Sequence, residues 1–483
     1  MSGPRRAWPA ALARGLSGLS GRWRESGIPS LVSGVLRVTA TRGLGSVLQF
    51  AVAIVVGGGA GPAVLGVYYL YLAWSSILAK AFGLGHSTAL MREGGRASAA
   101  PGRVPLERRV RHSTLVVATA GVVGTTAILL AGEPALSALG IEAPGAATLL
   151  AAGLGGLATA LSKLGSDTLK GLHRAHLGLF YEFDLALVLF LGFLLAAPLF
   201  GLEPGAREVV FAHAGSMLVT GALCLAKTRR EAAAVSAGAR GDAEDREPRR
   251  LVHGAYWGVS AANHLFAVAP YVVLPFFASA AEIGVFGVVH RLVAIAGTLQ
   301  VALGSFFAPR FVGHGDHAVA RSAFRAFGQS QVCSILMYLP FFALYVFLPE
   351  PVLRLFGEEF PVLAPLLVLL AVLRFGNAVA GPAEYFLNMT GRGRLELASG
   401  ALGLAVFFVA SLALRGTGAG VYRIGVLYGI AFLVRGLLSL GIIYALGLRA
   451  REAGNPTGNG ERTEVDRSGG EDGERRAGDA PAP

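Results

Sequence analysis

Seven basic residues stand inside long apolar runs of this sequence: Arg37, Arg42, Lys80, Arg291, Arg374, Arg423 and Arg435. Arginine stays protonated in proteins and grips phosphate or carboxylate through two parallel hydrogen bonds. At the centre of a bilayer each such cation costs about 2.5–3.5 kcal/mol, so these groups are expected to face a cavity or a partner rather than lipid. Arg37, Lys80 and Arg423 lie close enough to the ends of their runs for the charged head to reach the interface. Arg42, Arg291, Arg374 and Arg435 lie deeper, and they have polar company at helical spacing. Thr39, Arg42, Ser46 and Gln49 share one helical face, with Arg37 roughly 140° round the same helix. Gly284, Arg291, Thr298 and Ser305 recur every seven residues; Arg374, Gly381 and Asn388 do likewise, with Asn377 and Glu384 beside them. Ser260, Asn263 and His264 form a short polar face ahead of Pro270 and Pro275, which are expected to kink their helix. The candidate binding residues are therefore Arg42, Arg291, Arg374, Arg435, Arg37, Gln49, Asn263, His264 and Asn377, converging on a hydrated cationic cavity. The alternative is that these groups only tie helices together, for example through an Arg374–Glu384 ion pair.

No hydrolase, zinc-protease or nucleotide-binding motif occurs, and no cofactor or metal is implied. His173/His176 and His314/His317 have metal-like spacing but sit in basic loops with no third ligand. The outer loops are short, which argues against a membrane glycosyltransferase or polymerase. His290, beside Arg291, is a candidate for coupling to protons. Residues 31–90 contain no Asp or Glu and residues 249–310 only Glu282, so the buried carboxylate that a cation-coupled drug exporter needs is lacking in those stretches. Glu182 and Asp184, near one end of the fifth apolar run, are poor replacements.

These residues must be positioned by membrane helices. Of 483 residues 53% are hydrophobic and 15% charged, with a mean hydropathy of +0.57, against about a quarter charged in soluble domains. A helix crosses the hydrocarbon core in about 20 residues. Twelve runs of that kind are predicted: 31–56, 63–90, 113–131, 145–164, 180–200, 207–226, 252–277, 283–308, 327–348, 360–389, 396–414 and 421–447. With both termini in the cytoplasm, the inner segments hold thirty-two Lys and Arg and the outer loops three, namely Arg207, Arg354 and Arg415. The net charge of +12 then reflects orientation rather than nucleic-acid binding. The organisation predicted is a basic tail over 1–30, a six-helix half over 31–226, a cytoplasmic linker over 227–250, a second half over 251–447 and a disordered cytoplasmic tail over 448–483. Cys224 and Cys333 lie in apolar runs and imply no disulfide.

The halves look like repeats. Leu65-Gly66-Val67-Tyr68 returns as Ile283-Gly284-Val285-Phe286 at an offset of 218, and Gly171 returns as Gly391 at 220. Transporters built from two such halves hold substrate between them near the membrane midplane.

Three stretches, LGVYYLYLAW with GLGHSTALMRE (65–93), IGVFGVVHRLVAIA with APRF (283–311) and GPAEYFLNMTGR (381–392), resemble those of bacterial polysaccharide flippases. That family belongs to the superfamily that also holds the lipid II flippases and the multidrug and toxin extrusion exporters (the MOP superfamily). The resemblance implies an all-α fold of two six-helix halves. It also implies an inner-membrane transporter that moves polyprenyl-diphosphate-linked oligosaccharides, such as O-antigen or exopolysaccharide repeat units, by alternating access. Its partners would be that glycan substrate, membrane lipids, a polymerase and glycosyltransferases. It further implies diphosphate-binding arginines on the first and eighth spans, where Arg42 and Arg291 stand, with Arg37 a weaker match. Lys80 departs from the expected pattern. The alternative reading is a cation-coupled multidrug exporter of the same fold.

Overall fold

The computed structural model describes residues 28–99, 105–138, 145–237, 252–311, 317–418 and 420–453. The basic tail with Trp8 and Trp23, most of the 227–250 linker, His314 and the C-terminal tail beyond Ala453 lie outside them. The described residues are almost entirely helical, with no strand among them. They include nine helices long and apolar enough to cross a membrane, so the chain is a multi-pass membrane protein.

The first half runs through α1 (Ile28–Gly83), α2 (His86–Ala99), α3 (Leu106–Ala138), α4 (Gly145–Gly171), α5 (Ala175–Leu179), α6 (Leu185–Ala196) and α7 (Ala206–Ser236). The second comprises α8 (Val252–Val273), α9 (Ala280–Phe311), α10 (His317–Phe347), α11 (Pro349–Arg354), α12 (Ala364–Ala380), α13 (Ala383–Met389), α14 (Gly393–Ala413) and α15 (Val421–Ala453).

Three breaks in this pattern have local causes. The helical path of α1 is interrupted at Gly61, which takes φ 85° and ψ 168° and is followed by Pro62. Glycine alone accepts that backbone readily, and proline suits the first turn of the helix that follows. The long element is therefore two limbs, covering the first two predicted runs. Its second limb ends at Gly83 rather than at the predicted residue 90, because Leu84 and Gly85 both turn to positive φ; α2 is then a separate polar helix. The tenth predicted run is likewise cut at Gly381 (φ 64°) and Pro382, between α12 and α13. Between α5 and α6, Phe180–Asp184 forms a turn of π-helix, a wider turn often found at functional sites.

Apolar side chains that a soluble protein would bury face outward. On α3, Leu115, Val122, Val123 and Leu130 are all exposed at seven- and eight-residue spacing, which is one stripe of the helix. Inside, a single core joins Val52, Tyr68 and Phe190 of the first half to Phe266, Phe286 and Leu366 of the second.

The repeat read from the sequence meets itself at the centre of the molecule. The second limb of α1 crosses α9 at Gly66 and Gly284. A Cβ on Gly66 would overlap the Ala280 carbonyl, and one on Gly284 the Pro62 carbonyl. Each would also approach the other glycine's backbone nitrogen, at 3.0 and 2.9 Å respectively. The crossing is thus reciprocal about an approximate two-fold. Small residues let two helix backbones approach this closely in a membrane.

Candidate functional site

Beyond that crossing the two halves diverge around a cavity of about 330 Å³. The first limb of α1 contributes Ser46 and Gln49, its second limb the tyrosines at 68, 69 and 71, and α7 His213. From the second half come His264 and Tyr271 of α8, and His290, Arg291 and Thr298 of α9. A smaller chamber of about 200 Å³ adjoins it, sharing Ser46, Gln49, Phe183 and Thr298, with Glu182 and Asp184 of the π-turn in its wall.

Among the described residues, Arg291 is the basic side chain that lines the main cavity. Its Nη1 donates to the Gln49 Oε1 across the divide between halves, and its guanidinium lies 5.3 Å from the centre of the Tyr69 ring. Both are neutral partners, so the positive charge is oriented without being cancelled. Among the described residues no carboxylate pairs with it. The Tyr69 hydroxyl and the His264 Nε2 are buried with no hydrogen-bond partner among the described residues.

The other predicted arginines separate. Arg374 does not line the cavity. It is 7% exposed, within the second half. Its guanidinium sits 3.5 Å from the centre of the Phe432 ring and donates to the Tyr428 hydroxyl at 3.2 Å. Arg435 also lies elsewhere, in a buried network. Its Nη2 reaches Glu396 at 2.6 Å, Asn263 at 3.0 Å and Glu384 at 3.4 Å, and Ser439 donates to Glu396 at 3.0 Å. Asn263 is consumed there rather than in the cavity, and the anticipated Arg374–Glu384 pair is replaced by Arg435–Glu384. The physical reason is α15. It carries Arg435 on the face that meets α14 and α13, where two carboxylates already need a cation. Asn377 lies between α12 and α15, its Oδ1 where a Cβ on Gly436 would be, 2.5 Å away. Of the nine predicted binding residues, the cavity brings together Arg291, Gln49 and His264. Arg37 and Arg42 belong to the first limb of α1, with side chains outside the described residues.

Sequence reasoning passed over the tyrosines and His213, although the run Tyr68-Tyr69-Leu70-Tyr71 was a signal. Glu182 and Asp184, on the π-turn, stand in the wall of the adjoining chamber. Glu182 is occupied: Lys163 meets it at 2.8 Å and Lys170 also pairs with it, while Asp167 holds the same lysines at 3.2 and 3.0 Å.

A two-lobed helical membrane fold with a central cavity of mixed polarity defines the transporter-like class of architecture. The solved structures it resembles are of that class. One is the inward-facing conformation of a multidrug resistance MATE family transporter of the MOP superfamily (TM-score 0.58, 15% identity, covering 86% of this chain and 96% of that one). Another is the outward-facing conformation of a multidrug resistance MATE family transporter (TM-score 0.57, 15%, 87% and 96%). A third is the MATE multidrug transporter DinF-BH in complex with R6G (TM-score 0.57, 16%, 87% and 95%). At such identity the similarity defines the fold, which is that of the MATE transporters. No protein-family model matches the chain and no curated protein matches it in sequence.

Proposed function

We propose that this chain is an alternating-access exporter of the inner membrane, and that its cargo is a lipid carrying an anionic diphosphate headgroup, a polyprenyl-diphosphate-linked oligosaccharide. One observation carries the substrate class: Arg291, in the wall of the cavity between the halves, is held by an amide and a tyrosine ring, so its charge stays available. A diphosphate suits a planar guanidinium. With the termini in the cytoplasm, the Gly66–Gly284 crossing would lie toward the outside, with the cavity on its inner side. Rocking of one half on the other would then expose Arg291 to each side in turn. On this reading no chemistry on the substrate is needed.

A second reading is favoured by the comparisons themselves: export of drugs, as the names of the similar structures state for those proteins. The carboxylate of Asp184, in the wall of the adjoining chamber, supports it. Reconstituted vesicles separate the two. Outward movement of a fluorescent polyprenyl diphosphate, lost in Arg291→Ala, supports lipid export. Accumulation of an organic cation such as rhodamine 6G, retained in that variant, supports the drug reading and overturns the first.

A further inference from the structure

Behind the cavity wall a chain of hydrogen bonds runs from the interior of the second half to the cavity. Arg374 Nη2 donates to the Tyr428 hydroxyl oxygen at 3.2 Å. That hydroxyl lies 3.3 Å from His290 Nε2, and His290 Nδ1 lies 3.1 Å from the Tyr271 hydroxyl. Arg374 and Tyr428 stand behind the wall, whereas His290 and Tyr271 form part of it. The imidazole is pinned by aromatic contact on three sides, stacked on Phe286 and edge-on to Tyr271 and Tyr428.

The direction of the chain follows from counting protons. Guanidinium can only donate, so the Tyr428 oxygen accepts from Arg374. Tyr428 is 1% exposed, and its own proton needs an acceptor. The only acceptor the chain offers is His290 Nε2. A neutral imidazole that accepts at Nε2 carries its proton on Nδ1, which then donates to the Tyr271 oxygen. In the reverse direction Nε2–H would donate to Tyr428, and a buried tyrosine proton would have no acceptor. In the forward direction the proton left over is that of Tyr271, itself only 5% exposed but in the cavity wall, where a bound group can accept it.

We infer that Arg374 is a positioning residue which, through Tyr428 and His290, fixes Tyr271 as a hydroxyl donor aimed at an oxygen-rich anionic group in the cavity. The inference rests on the proposed function for the identity of that group, but the direction of the chain stands without it. Arg374 thus serves the cavity without lining it. In the first half Tyr71 and His213 make the same kind of bond, at 3.1 Å.

Two measurements test this. Nitrogen-15 spectra of histidine-labelled protein, with the His290 signal identified by its loss in His290→Gln, should show the Nδ1–H tautomer in the wild type. Tyr428→Phe should give a mixture of tautomers. An Nε2–H tautomer in the wild type overturns the inference. Binding of geranylgeranyl diphosphate in detergent supplies the second test. Tyr271→Phe should weaken it about tenfold, as expected for losing a hydrogen bond to a charged group. Tyr428→Phe should weaken it less, about threefold, because an unlocked imidazole still presents the donor part of the time. The double variant should match Tyr271→Phe alone, since Tyr428 acts only through Tyr271. Multiplying effects would mean that Tyr428 serves packing, and would overturn the relay. Failure of the diphosphate to bind the wild type, with the Nδ1–H tautomer intact, would overturn the substrate class and leave the chain direction standing.

Discussion

Arg291 and Gln49 are 242 residues apart in sequence and joined by a hydrogen bond in space, the arginine from the second half and the amide from the first. The bond spans the boundary that must open and close if the two halves rock. It also sets the electrostatic character of the cavity, because an amide orients a guanidinium without neutralising it.

Removing that cation should abolish export. Arg291→Ala is expected to reach the membrane normally and to lower transport of a polyprenyl diphosphate by at least tenfold. Arg291→Lys should recover part of the rate, since an ammonium keeps the charge but not the two-pronged grip. Normal export by the alanine variant in reconstituted vesicles would count against the diphosphate reading.

Gln49→Glu is the complementary change. A carboxylate at that position would form an ion pair with Arg291 and cancel the free charge. Diphosphate binding should fall about tenfold or more, as for loss of a charge-assisted contact, while uptake of an organic cation should hold or rise. Titration of both probes against the same protein checks the sign.

Bulk at the helix crossing should bias the conformation. Gly284→Leu would drive a side chain into the Pro62 carbonyl and the backbone of Gly66, so the crossing could no longer close. Spin labels placed on either side of Gly66 and Gly284 should show a wider separation, and transport should slow even though no cavity residue has changed.

The Arg435 network should matter to stability more than to transport. Arg435→Leu leaves Glu396, 1% exposed at its side chain, without its 2.6 Å partner. Breaking a buried pair from one side costs about 3–5 kcal/mol, so the melting temperature in detergent should fall by several degrees. The double change Arg435→Leu with Glu396→Gln should recover part of the loss. If Arg435→Leu unfolds at the wild-type temperature but cannot bind a diphosphate lipid, Arg435 belongs to the binding site after all.

Much of the architecture was legible because lipid imposes simple rules. The run of apolar residues at 421–447 became α15, Val421–Ala453, and the run at 145–164 became α4, Gly145–Gly171. Helix ends were set by local signals that the hydropathy count smoothed over, such as Gly61-Pro62 within α1 and Gly381-Pro382 after α12. The motif at Gly66 and Gly284 was legible as a repeat. That the two copies touch was not, since offset in sequence carries no information about distance.

The candidate site was only partly legible. Spacing placed Arg374 on a polar stripe and depth in its run singled out Arg435, but neither says what stands opposite. Opposite Arg435 stand Glu384 and Glu396; opposite Arg374 stands Phe432. Opposite Arg291 stand Gln49 and Tyr69, neutral partners in the wall of the cavity.

From its residues alone this chain was bound to be a helical membrane protein, because only a helix or a closed barrel satisfies the backbone in lipid, and continuous apolar runs of about 20 residues suit the helix. The same residues gave the expectation of a repeated plan with cations deep in its apolar runs. Which cation remained available was decided only when the helices met. The energy of a buried charge depends on partners within a few ångströms, and those partners came from segments hundreds of residues away.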